Sequence, residues 1–151
     1  MNRSRLVRQV FKSNQHAGSA PSRWAPHRAQ VMKVLGDVPV TGSSLALFGA
    51  GHLYDVELDD LAQRYTSIAL VDLDAETVSA ALLGHPDAAR RCLVHAPLDL
   101  TGVLPELEQA SGRAGGVDEL IAQLAVHRCA VPSAPFDVTV SLGVLTQLMQ
   151  R

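Results

Sequence analysis

Residues 45–78, LALFGAGHLYDVELDDLAQRYTSIALVDLDAETV, constrain this chain more than any other stretch. Residues 45–48 (LALF) and 68–71 (IALV) are short and wholly apolar. Strands buried on both faces of a parallel sheet read this way. Between them, Val56, Leu58, Leu61, Ala62 and Tyr65 recur at helical spacing, with Asp55 placed to cap a helix over 55–65. Strand, helix, strand in this order predicts a βαβ unit with a right-handed crossover.

The rest of the chain continues that unit. Asp74 is placed to cap a second helix over 74–83, which Gly84 and Pro86 stop. Residues 91–95 form a weaker third strand, and residues 136–142 (FDVTVSL) a fourth, alternating and β-branched. Residues 99–111 and 117–127 have helical spacing around the breaker 112–116, and a further helix begins at Val144. Ahead of the first strand, residues 23–35 predict a helix with Pro26 near its start, ended by Gly36 and Asp37. The expected fold is α/β: a Rossmann-like parallel sheet with helices on both faces and about four strands.

Charge divides the chain. The first 36 residues hold seven Arg or Lys and no acid, which leaves six basic and 15 acidic residues, a net -9, for the remainder. Residues 1–22 therefore read as a basic N-terminal arm, with an apolar face over 3–12 and a loop over 13–22, and residues 23–151 as the folded domain. Such an arm fits a solvated helix on the acidic body, an anionic partner such as nucleic acid, or a transit-like leader. No apolar run approaches the ~18 residues of a membrane span, and no secretory h-region is present. A soluble, cytoplasmic protein with no membrane partner is expected. Cys92 and Cys129 fit no paired metal spacing, and the six histidines form neither HxH nor HxxxH, so no metal site is expected.

The glycine turn is where chemistry is expected. Gly49, Ala50 and Gly51 stand between a strand's C-terminal end and a helix, the edge at which open α/β sheets bind ligands. Glycines allow φ > 0 and close backbone approach, and N–H groups at the helix start can meet polar ligand atoms. Asp72, 21 residues after Gly51, ends the next strand, where an acid can bond both hydroxyls of a ribose. Dinucleotide sites want a small residue third in G-x-G-x-x-G/A; here Tyr54 stands there, which disfavours NAD and FAD. No GKS or GKT follows, so this is not a P-loop.

FGAGHLYDVELDDLA followed by IALVDLDAETV resembles the first two motifs of class I S-adenosylmethionine-dependent methyltransferases, and FDVTVSLGVLTQL resembles that family's fourth strand and the helix after it. The resemblance covers residues 23–151. It implies S-adenosyl-L-methionine as cofactor, lying over Gly49, Ala50 and Gly51, with Asp72 on the ribose and Leu73 against the adenine. Asp99 would contact the adenine amino group or cap a helix, and Ser141 and Leu142 would border the methyl group. Arg23, Trp24 and His27 fall where the family often carries a segment covering the cofactor, with Trp24 either a buried staple or a pocket wall. The implied activity is methyl transfer to an acceptor the sequence does not identify, by in-line displacement that needs positioning more than a base.

The chain also departs from the family. Phe48 stands where an acid often precedes the first glycine, Leu53 replaces the third glycine, and no (N/D)PP(Y/F) follows the fourth strand. The family's sheet continues beyond four strands. The chain then reads as the cofactor-binding half of a methyltransferase, with self-association covering an incomplete sheet. The alternatives are a truncated inactive methyltransferase, a non-catalytic Rossmann-like binding or assembly module and, disfavoured by Tyr54, an NAD-dependent oxidoreductase.

Overall fold

A computed structural model describes residues 21–40, 42–102, 104–106, 118, 121–122, 125–126, 131–133 and 135–142. The helix expected over 3–12, most of the arm and of the helices expected over 99–111 and 117–127, Cys129 and the helix from Val144 lie outside the described residues.

Four strands form one sheet: β1 (Ser44–Phe48), β2 (Ser67–Val71), β3 (Cys92–His95) and β4 (Val138–Ser141). Their spatial order is β3-β2-β1-β4, and every pairing is parallel. The α/β Rossmann-like architecture expected from the alternating pattern is therefore present. The chain steps outward from β1 through β2 to β3, then returns to the other side of β1 for β4. Residues 45–47 (Leu, Ala, Leu) have 0% exposure, because β1 has a strand on each side and cover on each face.

The helices are α1 (Ala25–Asp37), α2 (Leu58–Arg64), α3 (Ala75–Leu82) and α4 (Pro86–Ala89), with a 3-10 turn at Pro21–Trp24 before α1. Register puts Leu45 and Leu47 beside Ile68 and Leu70 on one pleat face. There they pack with Leu35 of α1, Leu58 and Leu61 of α2, Val78 of α3 and Ala88 of α4. The opposite face carries the small pair Ala46 and Ala69 together with Val71, all equally buried.

Polar contacts set the joints. Arg64 ends α2 and caps the C-terminus of α1, donating Nη1 to Leu35 O at 2.8 Å and Nη2 to Val38 O at 3.1 Å. Asp137 ties the start of β4 to the start of β1: its Oδ2 accepts from Ser44 N at 2.7 Å and from Ser44 Oγ at 2.8 Å. Those bonds hold the Asp137 carboxyl below its ordinary range.

Three expected helix boundaries move. The helix expected over 23–35 runs over Ala25–Asp37, so Gly36 and Asp37 belong to it rather than end it. The helix expected from Asp55 begins only at Leu58, with Glu57 as an N-cap that makes no side-chain cap bond. Asp55 turns instead toward His27, whose Nε2 lies 3.3 Å from Asp55 Oδ1. Pro86 does not simply end a helix; it starts α4, where its missing N–H costs nothing.

Asp74 does cap α3. Its Oδ1 accepts from Thr77 N at 3.0 Å and its Oδ2 from the Thr77 hydroxyl at 2.7 Å, in a site 1% exposed. Asp74→Ala should cost about 1–2 kcal/mol, read as a lowered urea midpoint with unchanged m. Asp74→Asn keeps an acceptor for Thr77 N and should lose less.

Candidate functional site

The ligand edge is built by the ends of β1, β2 and β4. After Phe48 the chain leaves the sheet through Gly49 (φ 77) and Gly51 (φ 47), both left-handed. Gly49 N and Ala50 N both donate to Val71 O, at 2.8 and 3.3 Å, so the turn folds back over the end of β2. Gly51 N then donates to Asp72 Oδ2 at 2.8 Å, and Asp74 N to Asp72 Oδ1 at 2.8 Å. The glycine turn and the acid picked out in sequence are thus joined by a direct bond.

Leu53, which replaces the third glycine, itself takes φ 60 and is 4% exposed. The chain turns left-handed there, so the leucine enters the core while its neighbours His52 and Tyr54 stack on each other at 5.0 Å and 11°. His52 is half-buried. A Cβ built on Gly51 would meet only Gly49 O, at 3.9 Å, so conformation rather than crowding requires glycine there.

The turn's donors are spent within the protein, and the helix start lies further along at Leu58. Helix N–H groups therefore do not stand at the turn itself, which offers Cβ-free backbone beside a carboxylate. Asp72 Oδ2 accepts from Gly51 N–H and Oδ1 from Asp74 N–H, and a carboxylate's lone pairs leave capacity for a further donor such as a ribose hydroxyl.

Of the other expected site residues, Leu73 follows Asp72 and is half-buried. Ser141 pairs with Phe48 across β4 and β1 and is exposed, while Leu142 is buried and donates its N–H to Phe48 O at 2.8 Å. Ser141 therefore reaches the same edge, on the strand beyond Phe48. Asp99 is committed locally. Its Oδ1 accepts from Thr101 N at 2.9 Å and the Thr101 hydroxyl at 2.6 Å, and its Oδ2 from Leu104 N at 3.0 Å. The Thr101 bonds form a local Asx-type turn, and the Leu104 bond takes up the N–H of the first of the helical residues 104–106. Trp24 is not a buried staple: it is 37% exposed and meets His27 edge-on at 6.1 Å, outside the groove beside the turn.

That groove, of about 390 Å³, runs beside the turn and is lined by Arg28, His52, Tyr54, Glu57, Ala80 and His85 among others. Gly49, Ala50 and Asp72 do not line it, so it adjoins the ligand edge without covering it. Arg28 was not singled out in sequence, and no motif marks it. It donates Nη1 to Tyr54 O at 2.9 Å and pairs Nε with Glu57 Oε1 at 2.5 Å. Among the described residues no three His, Cys, Asp or Glu side chains gather as a metal would require. Cys92 is a free thiol that burial pushes up to about 11.

Burial raises the Asp72 pKa above 3.8, against the N–H bonds from Asp74 and Gly51, which favour the charge. Asp99 differs. Burial acts to raise it, but bonds from Thr101, Leu104 and Gly102 outweigh that and lower it. Between 3.8 and its raised pKa, the native Asp72 binds more protons than the unfolded chain does. Its contribution to stability therefore falls as pH rises through that window. The Asp99 contribution is present above 3.8 and lost as pH falls through its lowered pKa. Carboxyl carbon NMR titration should place the Asp72 midpoint above, and the Asp99 midpoint below, the ordinary value.

No family model matches the chain, and neither a curated protein nor a solved structure matches it.

Proposed function

We propose that the chain binds S-adenosyl-L-methionine at the Gly49–Ala50–Gly51 turn and serves as a methyltransferase, or the cofactor-binding half of one, for an acceptor not identified. One observation carries this reading: the bond from Gly51 N–H to Asp72 Oδ2 at the ends of β1 and β2. It supports the reading because it fixes an acid beside Cβ-free backbone at the C-terminal end of β1, the strand on whose other side, toward β4, the strand order reverses. Open α/β sheets take their ligands at such a reversal. Asp72 would hold the ribose hydroxyls, Leu73 would lie against the adenine, and Ser141 and Leu142 would border the methyl group. When bound, the cofactor supplies an electrophilic methyl on a sulfonium. The protein's part is to align the acceptor with it and exclude water. Tyr54, where a dinucleotide site wants a small residue, speaks against a nicotinamide cofactor.

Calorimetric titration of the folded chain tests this. S-adenosylmethionine and S-adenosylhomocysteine should bind and NAD should not. Asp72→Ala removes a charge-assisted acceptor of the ribose, a loss of about 1.5–3 kcal/mol or more than tenfold in Kd. No heat with either methionine compound would remove the methyltransferase reading. Affinity should also fall as pH drops toward the raised Asp72 pKa, because the neutral acid accepts hydrogen bonds less strongly.

A further inference from the structure

Helix α1 reaches the ligand edge by an indirect route. Leu35 is its one buried residue, and Val34 is 66% exposed, so burial alone holds it weakly. Its first half is fastened by polar contacts to residues 54–57. Arg28 donates to Tyr54 O and pairs with Glu57, His27 lies against Asp55, and Glu57 N points at Met32 Sδ at 3.3 Å. Residues 54–57 continue the glycine turn through short backbone bonds: Leu53 N donates to Ala50 O at 2.9 Å and Val56 N to Leu53 O at 3.4 Å. Between these bonds lies Leu53, held at φ 60. An L-residue in that conformation costs about 1–2 kcal/mol and persists where its surroundings over-determine it.

We propose that Arg28 is a positioning residue for the ligand edge: by bracing Tyr54 and Glu57 it holds the left-handed Leu53 turn and so keeps Gly51 N–H on Asp72. The guanidinium suits this because its fixed fork serves two acceptors at once, a backbone carbonyl through Nη1 and a carboxylate through Nε. Lysine has a single ammonium and cannot reproduce that geometry. Arg28 acts through Tyr54 and Glu57 and is not assigned a contact with ligand.

Native-state hydrogen exchange tests the inference without a ligand. In Arg28→Ala the Gly51 amide should exchange about tenfold faster, while the Leu47 and Leu70 amides, buried in β1 and β2, change much less. Arg28→Lys should restore only part of the protection. The inference is overturned if Gly51 is unaffected, if all three amides accelerate by one factor, as a general loss of stability would make them, or if lysine restores protection in full. The affinity arm rests on the proposed cofactor reading: Kd for S-adenosylhomocysteine should rise about tenfold in Arg28→Ala. A wild-type chain that binds no methionine compound removes that reading and leaves the exchange arm to decide the role of Arg28.

Discussion

The structure depends on the placing of β1 between β2 and β4. A parallel strand with neighbours on both sides presents no polar backbone edge, so its side chains can be wholly apolar, and 45–47 are. The same placing forces the chain to leave β1 in one direction and come back on the other side. Chain ends that diverge in this way open a crevice at the C-terminal edge. Hydrophobic burial and the position of the candidate site therefore share one cause. The Asp137–Ser44 clamp secures the opposite end, fixing β4 against β1 where no ligand would hold it.

The departure at Leu53 is explained by a balance of two terms. Glycine would take φ 60 without strain, at a saving of about 1–2 kcal/mol. Burying a leucine is worth about 1.5–3 kcal/mol, and Leu53 is 4% exposed. Burial equals or exceeds the strain, so leucine is tolerated where glycine was expected. The consequence is geometric. Anchoring Leu53 delays α2 to Leu58 and leaves residues 54–57 as a turn, which is the surface that α1 grips through Arg28 and His27.

How much of this could be read from sequence follows from the range of the forces involved. β1, β2 and their parallel pairing were legible because apolar runs and the helical period between them are local signals. Asp74 as a cap was legible for the same reason, since its partner Thr77 is three residues away. Gly51 and Asp72 were each placed at a strand end by the local pattern, but their direct bond was not foreseen. Arg28 to Glu57, Arg64 to Leu35 and Asp137 to Ser44 were not legible: each joins residues far apart in sequence through side-chain atoms, and nothing in the local pattern marks it. The start of α2 was misplaced because Asp55 has the composition of a cap, while the contact with His27, from another helix, decides its orientation. Asp99 could be read equally well as cap or ligand contact, and its three bonds all go to residues within five positions of it.

The proposed diol site rests on how Asp72 is held. A carboxylate that must order itself on binding loses part of its interaction to conformational entropy and desolvation. Here one oxygen is fixed by Gly51 N–H and the other by Asp74 N–H, and burial has already removed much of the surrounding water. That cost is borne in folding, where it appears as the raised pKa. Under the proposed reading, a ligand bringing two hydroxyls would add donors to an acceptor already oriented. The same arrangement makes the edge sensitive to whatever holds the turn. If Gly51 N–H leaves Asp72, the carboxylate loses a fixed partner and the glycine loses its place together.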